Sequence, residues 1–329
     1  MNRGPLGPAK QRASRGGYGK PTIRSVTHRH FANVLVTLAI VLCAPSARAQ
    51  ACCAGASAIT PGRLELHEKA LIGSQLRVAG SLGTFNSQGR FRSNPPGASE
   101  VDFEQDLFAS VRWLRRGQLS LLFPLLLSRR SSETTGTELG GGIGDLNLGL
   151  RYDLVRNREL SYLPGIGLLG GATFPTGRAP EDAKQPLASD ATGTGATQLG
   201  LGLALERSFA RWLLSATALL SKRFSREVNG VESELAPQLS AVIGASYTVS
   251  DEFAVALFTT YNYEADASID GQRVSGTGRR QLRLSLACSA ELDAFRLHGN
   301  AFLDPPVDGA GQNQTASVGA VIGVVWSFL

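Results

Sequence analysis

The feature that most constrains this chain is a strict two-residue alternation that recurs in long runs. In residues 146–154, Leu146, Leu148, Leu150, Tyr152 and Leu154 are apolar, and Asn147, Gly149, Arg151 and Asp153 separate them. Residues 198–206 set Leu199, Leu201, Leu203 and Leu205 against Gln198, Gly200, Gly202, Ala204 and Glu206. Residues 281–292 set Leu282, Leu284, Leu286, Cys288, Ala290 and Leu292 against Gln281, Arg283, Ser285, Ala287, Ser289 and Glu291. A period of two is the signature of a β-strand with unlike faces. Soluble β-sandwiches also alternate. Their strands cluster near ~5–6 residues, whereas a tilted strand crossing a bilayer needs ~9–11, the length these runs reach.

Twelve such segments can be marked: 70–82, 101–114, 118–129, 142–155, 161–174, 196–208, 211–224, 234–249, 252–264, 279–292, 294–303 and 315–329. The connections alternate. Residues 115–117, 156–160, 209–210, 250–251 and 293 are short, while 83–100, 130–141, 175–195, 225–233, 265–278 and 304–314 are long and rich in Gly, Pro, Ser, Thr and Asp. Short turns after even strands and long loops after odd ones fit a barrel with both termini in the periplasm. A Greek-key sandwich has no reason to produce that rhythm. The expected fold is therefore all-β: a transmembrane antiparallel up-and-down β-barrel of about twelve strands.

The N-terminus fixes the compartment. Eight of the 33 basic residues and none of the 27 acidic ones fall within residues 1–49. An apolar run over 31–44 follows, then Ala47-Arg48-Ala49, the pattern of a cleaved secretory signal. That run is shorter than the ~20 residues that span a bilayer. Without the leader the chain is slightly acidic, so its basic pI gives no reason to expect nucleic acid as a partner. No later stretch reads as a transmembrane helix, and an exported chain that crosses a membrane with strands must close them into a barrel. The expected organisation is 1–49 signal peptide, 50–69 periplasmic N-terminal segment or plug, and 70–329 outer-membrane barrel. Cys52 and Cys53 leave three readings open: a bridge to another thiol, lipid attachment at Cys52, or metal binding with His67.

Aromatic residues gather near segment ends, among them Trp113, Phe174, Trp212, Phe224, Tyr261, Tyr263, Trp326 and Phe328, as interfacial girdles require. The last segment ends with an aromatic next to the terminal Leu329, similar to the signal read by the barrel-assembly machinery. By parity the lumen holds charges of both signs. Arg77, Asp145, Asn147, Arg151, Asp153, Glu206, Arg283, Glu291, Arg296 and His298 are the candidate pore-lining residues. Inward glycines (Gly149, Gly165, Gly167, Gly200, Gly202, Gly319, Gly323) are expected to leave room.

Gly142-Ile143-Gly144-Asp145-Leu146-Asn147-Leu148-Gly149-Leu150-Arg151-Tyr152, then Pro164 and a glycine-rich run, then Phe174-Pro175-Thr176-Gly177-Arg178, form a longer pattern. With residues 198–205 and Trp212, it resembles the outer-membrane transporter family associated with the meta-cleavage pathway of phenol degradation. The resemblance covers roughly residues 140–225. It implies a porin-like route for small, often aromatic or hydrophobic compounds, with phenol itself not carried over.

Other motifs support less. Gly140-Gly141-Gly142-Ile143-Gly144 runs into a strand, not the helix that a phosphate cradle needs. Asp266, Ser268 and Asp270 begin like a calcium loop, but Thr277 stands where the closing carboxylate belongs. Asn313-Gln314-Thr315 has the form of a glycosylation acceptor, which an outer loop of a bacterial barrel does not use. An outer-membrane hydrolase needs a His–Ser pair oriented by a third group. His67 precedes the first segment and His298 has no H-x-S context, so the chain is not expected to be an enzyme or to carry a cofactor. The expected function is a passive outer-membrane channel for small solutes, with lipid, solutes and the assembly machinery as partners. A structural or adhesion barrel without transport is the alternative.

Overall fold

The computed structural model describes residues 62–157, 163–228 and 230–329. The expected leader and cleavage site, with Cys52 and Cys53, lie outside the described residues. Twelve strands form the wall: β1 (Ala70–Phe85), β2 (Ser99–Trp113), β3 (Gly117–Ser132), β4 in two parts (Gly136–Ile143 and Leu146–Val155), β5 (Gly165–Phe174), β6 (Gln198–Phe209), β7 (Trp212–Arg223), β8 (Gln238–Thr248), β9 (Phe253–Glu264), β10 (Arg279–Leu292), β11 (Phe295–Leu303) and β12 (Thr315–Phe328). Each pairs antiparallel with the next. β12 returns to β1 in a register running from Ala70↔Phe328 to Thr84↔Thr315. Closure satisfies the strand edges that lipid would otherwise leave without hydrogen bonds. Among the described residues no helix is long and apolar enough to cross a membrane.

The wall is apolar outside. Leu199, Leu201, Leu203 and Leu205 are all exposed, Leu201 to 77%, while their neighbours Ala204 and Glu206 are buried. In water such a surface would aggregate; in hydrocarbon it is the favourable face. Two aromatic girdles bound it. At the short-turn end Trp212 packs on Tyr247, and Phe295 and Phe328 pack on Trp326. At the long-loop end Phe103, Phe174, Phe224, Tyr261 and Tyr263 are exposed. Trp212 and Phe224 bracket β7. At ~3.3 Å per residue and ~40° of tilt they stand roughly 30 Å apart along the barrel axis, close to the height of a membrane's apolar band.

Five connections read as long loops contain more strand than expected; 83–100 and 304–314 carry only the short pieces Phe91–Ser93 and Gly311–Gln312. Residues 130–141 are a continuation of β3 and β4 around a tight turn at 133–135, closed by Gly136 at φ 82°. Residues 225–233 and 265–278 carry short hairpin strands (Arg226–Val228, Val231–Glu234, Ser268–Ile269, Gln272–Arg273) that join into a four-stranded sheet. Their glycine and polar content hid the strands, because outside the membrane neither face is selected to be apolar.

β4 is interrupted at Gly144 and Asp145. Leu125 pairs with Ile143 and Leu122 with Asn147, so β4 carries one residue more than β3 between these pairs. This is a β-bulge, and it re-aims one side chain, Asp145.

Candidate functional site: the barrel lumen

The lumen is the concave surface of the molecule, and its two sides differ. On the side of β1, β2 and β10 to β12 it is filled. Leu64, Leu71 and Val325 are buried together with Phe108 packed against them. The ring of Phe108 occupies the space a side chain would need at Gly73, Phe302 does the same at Gly319, and His298 at Gly323. Arg283 lies over the Phe302 ring at 4.1 Å and Arg77 at 5.3 Å, within reach of a cation–π attraction.

Charges on this side are paired. Arg77 donates to Glu104 at 2.7 Å, and Gln75 donates to Asp106 at 2.7 Å. Arg283 meets Asp304 through Nε at 2.8 Å and Nη2 at 3.0 Å; Gln281 and the Ser317 amide complete that carboxylate's shell. His298 sits 3.2 Å from Gln75 Oε1, so the imidazole is used in packing the wall. Glu291 stands opposite Arg296 in register.

Residues preceding β1 cross the short-turn mouth. The Gly62 carbonyl accepts from Ser110 Oγ and Gln118 Nε2, both at 2.8 Å, and Leu64 N donates to Gln118 Oε1 at 2.9 Å. Arg112 donates to the carbonyls of Glu65 and Glu68. Arg296 pairs with Glu68 and stands 3.7 Å from Glu65. Arg63 reaches Glu206 at 2.5 Å, and Arg151 holds the same carboxylate at 3.1 Å while donating to Asp153 at 2.8 Å. Residues 62–69 are thus a strap tied to β2, β3, β6 and β11.

The opposite side, from β3 to β7, is open. Register aligns Ser120, Gly149, Gly171, Gly200 and Ser221 in one row across five strands. At Gly171 a side chain would meet nothing nearer than Leu219 at 4.0 Å. The row floors a recess of about 320 Å³ lined by Leu122 and Leu219 and rimmed by Asn147 and Gln198. Asn147 is held by Thr173 at 2.7 Å and donates to the Asp145 carbonyl at 2.9 Å. Gly167 is different, since the Arg151 guanidinium lies 3.2 Å from where its Cβ would be. Gly202 leaves no room either, because a Cβ there would collide with the Ala218 carbonyl.

Sequence reasoning missed several of these groups. Phe302 and Asp304 follow the inward parity of Arg296, His298 and Asn300 and could have been found that way. Arg223 is nearly buried and binds Gln198 at 3.0 Å, Gln238 at 2.9 Å and Glu264 at 2.8 Å. Asp145 serves the connection between β5 and β6 more than the open wall, accepting from Gly177 N at 3.0 Å and Thr194 N at 2.7 Å.

Of the candidate calcium ligands Asp266, Ser268 and Asp270, both carboxylates are engaged by the surrounding loop. Asp266 accepts from Gly278 N at 2.8 Å and from Arg273, and Asp270 accepts from Glu232 N at 3.2 Å. The Gly278 amide, helped by Arg273, holds the Asp266 carboxyl below the usual range. Among the described residues no group of three or more His, Cys, Asp or Glu is gathered to hold a metal.

Residues 86–292 match the family model described as "Putative MetA-pathway of phenol degradation". An outer-membrane channel from Pseudomonas putida F1 shares the fold at a TM-score of 0.66 and 15% identity, covering 80% of this chain and 97% of that one. A NanC porin (TM-score 0.44, 10% identity, 78% and 100% covered) and the CymD monoaromatic hydrocarbon channel (0.39, 10%, 86% and 95%) align more loosely. No curated protein sequence matches the chain.

Proposed function

We propose that this chain, which belongs to the family just described, is a passive channel of the bacterial outer membrane for small solutes, hydrophobic and aromatic ones among them. The observation that carries this reading is the open floor at Gly149 and Gly171, where a side chain would meet nothing nearer than 3.5 Å. Nothing in wall construction requires two adjacent strands to omit side chains on the inner face at one level, and elsewhere in this barrel neighbouring side chains fill such positions. A cavity of ~150 Å³ already admits benzene, so the recess of about 320 Å³ takes a single aromatic ring. Its Leu122 and Leu219 suit the ring, and Ser120, Asn147 and Gln198 suit a polar substituent. Twelve strands fall between the eight that close around packed side chains and the sixteen that leave a wide aqueous pore.

On this reading Asn147 lines the path beside the recess, with Arg151 and Asp153 on the same strand and Asp145 at its outer end, while Arg77, Glu206, Arg283, Glu291, Arg296 and His298 brace the lumen around it. Charges of both signs argue against strong ion selectivity. The exposed leucine belt contacts outer-membrane lipid, and β12 is what the assembly machinery would read.

The test is single-channel conductance and liposome swelling with the purified mature barrel. Weak conductance with uptake of small uncharged solutes is expected. The strap over 62–69 favours a second reading, a structural or adhesion barrel without transport. That reading moves ahead if the barrel neither conducts nor swells with residues 50–68 present or removed.

A further inference from the structure

We infer that the connection between β5 and β6, residues 175–197, is the selectivity element of the extracellular mouth, and that Asp145 is the residue that positions it. The inference rests on the channel reading above and adds where solute size is sorted and by what.

The connection packs on the inner face of the outer half of β4. Gly142, Gly140 and Glu138 face inward, because they pair with Leu126, Ser128 and Arg130, the inward series of β3. Against that inner face lies the connection. A Cβ on Gly140 would fall 2.6 Å from the Asp190 amide nitrogen, and one on Gly142 would touch Thr192 at 3.7 Å. Arg130 donates to the carbonyls of Leu187 at 2.8 Å and Ala188 at 3.0 Å, and Glu138 accepts the Leu187 amide at 3.0 Å. On the far side Arg226, beyond β7, pairs with Glu181 at 2.5 Å. The connection is thus attached on both its flanks, to β3 and β4 on one and beyond β7 on the other.

A single carboxylate holds both of its ends. Asp145 Oδ1 accepts Gly177 N at 3.0 Å; Oδ2 accepts Thr194 N at 2.7 Å and Thr194 Oγ1 at 2.9 Å. The Arg178 carbonyl closes the neck by accepting the amides of Thr192 and Gly193, both at 2.9 Å. Gly193 has no side chain because one would collide with Asp145. The bulge in β4 exists at this point and aims the carboxylate there.

A second observation points the same way. Above the level of Leu146↔Phe174 the outer half of β4 has no strand on its far edge among the described residues. The connection supplies partners instead, Gln185 Nε2 to the Leu139 carbonyl at 3.1 Å and Thr192 Oγ1 to the Ile143 carbonyl at 2.7 Å. An inward segment held this way narrows the mouth without being free to open.

The experiment compares wild-type mature protein with Asp145→Ala and Asp145→Asn in planar bilayers, sizing the pore with neutral polymers of increasing length. Heat-modifiable gel mobility confirms that each variant is folded. Asp145→Ala is expected to raise conductance severalfold and admit longer polymers. Asp145→Asn, which keeps one acceptor oxygen, should fall between. A Gly142→Cys/Thr192→Cys pair, made where Cys52, Cys53 and Cys288 are serine, should return Asp145→Ala to the wild-type cut-off when oxidised and release it when reduced. This rescue is a readout that loss of stability alone would not give. If Asp145→Ala exposes 175–197 to protease but keeps the wild-type conductance and cut-off, the inference is overturned while the channel reading stands. If wild type is silent and Asp145→Ala conducts, the inference is supported. Silence from both removes the inference together with the channel reading.

Discussion

The two sides of the lumen are built from the same alternation and end up unlike. In both, the inward positions mix charges, small polar residues and glycine. On the side of β1 and β12, glycine at 73, 319 and 323 makes room for Phe108, Phe302 and His298. On β4 and β5, glycine at 149 and 171 leaves space that only Ser120 and Leu219 approach, while Gly200 beside them is crowded by Ser221. An inward glycine therefore means either a close-packed wall or a passage, depending on whether the strand beside it supplies a large side chain in the neighbouring register. This separates the half of the barrel that holds it rigid from the half through which solute would pass.

The largest effect expected from this contrast is on transport. Gly171→Trp places an indole over the open recess and should remove most of the conductance while the barrel still folds. Gly323→Val, in the filled half, should leave conductance near wild type. Similar losses from both substitutions in a bilayer assay would mean that the recess is not the path.

A second contrast is between faces at one depth. Leu203 pairs with Ala218, midway between Trp212 and Phe224, and faces lipid with 50% exposure. Leu203→Arg should cost ~2–4 kcal/mol in denaturant unfolding from lipid. Gly171→Arg, inward and uncrowded, should cost much less and alter ion preference instead. Gly202 makes a poor control despite its inward parity, since any side chain there meets the Ala218 carbonyl. Equal destabilisation by Leu203→Arg and Gly171→Arg would break the assignment of faces.

A smaller stability effect belongs to the filled half. A Cβ at Gly323 overlaps the His298 ring and comes within 2.8 Å of Gln75 Cβ. Gly323→Val should cost ~1–3 kcal/mol by overpacking. Gly323→Val with His298→Ala should recover part of that loss in a double-mutant cycle.

The legible part of this molecule was the part that lipid selects. The leucines of β6 announce a strand, its length and its outward face, because hydrocarbon demands an apolar residue at every second position. The inward charges were legible as a class for the same reason. Their partners were not: Arg283 finds Asp304 across a strand pair, and Arg296 finds Glu68 in the strap, through registers that no local pattern records. The glycines at 140 and 141 fall in an expected loop, with Gly142 opening the expected strand. They form a strand whose inner face is kept bare so that residues 187–192 can lie on it. Asp145 is expected on the inner side as a pore-lining group. Its task as a clamp depends on Gly177 and Thr194, residues far along the chain.

The last expected effect is a near absence of change with pH, and it tests whether the inward segment is as firmly built as the filled half. Asp190 accepts the amides of Lys184 at 3.0 Å and Gln185 at 3.2 Å and pairs with Arg178. The Lys184 amide first, with Gln185 and Arg178, brings its pKa down to about 2. An ordinary aspartate titrates near ~3.9. A pKa lowered on folding contributes order that is fully present above the unfolded value and disappears as pH falls through the folded one. Residues 175–197 should therefore resist pepsin at and somewhat below the ordinary aspartate range, and become cleavable only as pH approaches about 2. Asp190→Asn removes the titrating charge, so its cleavage should depend less steeply on pH. Release of the wild-type segment already near ~3.9 would show that Asp190 does not hold it, and that the mouth is less firmly organised than the wall beneath it.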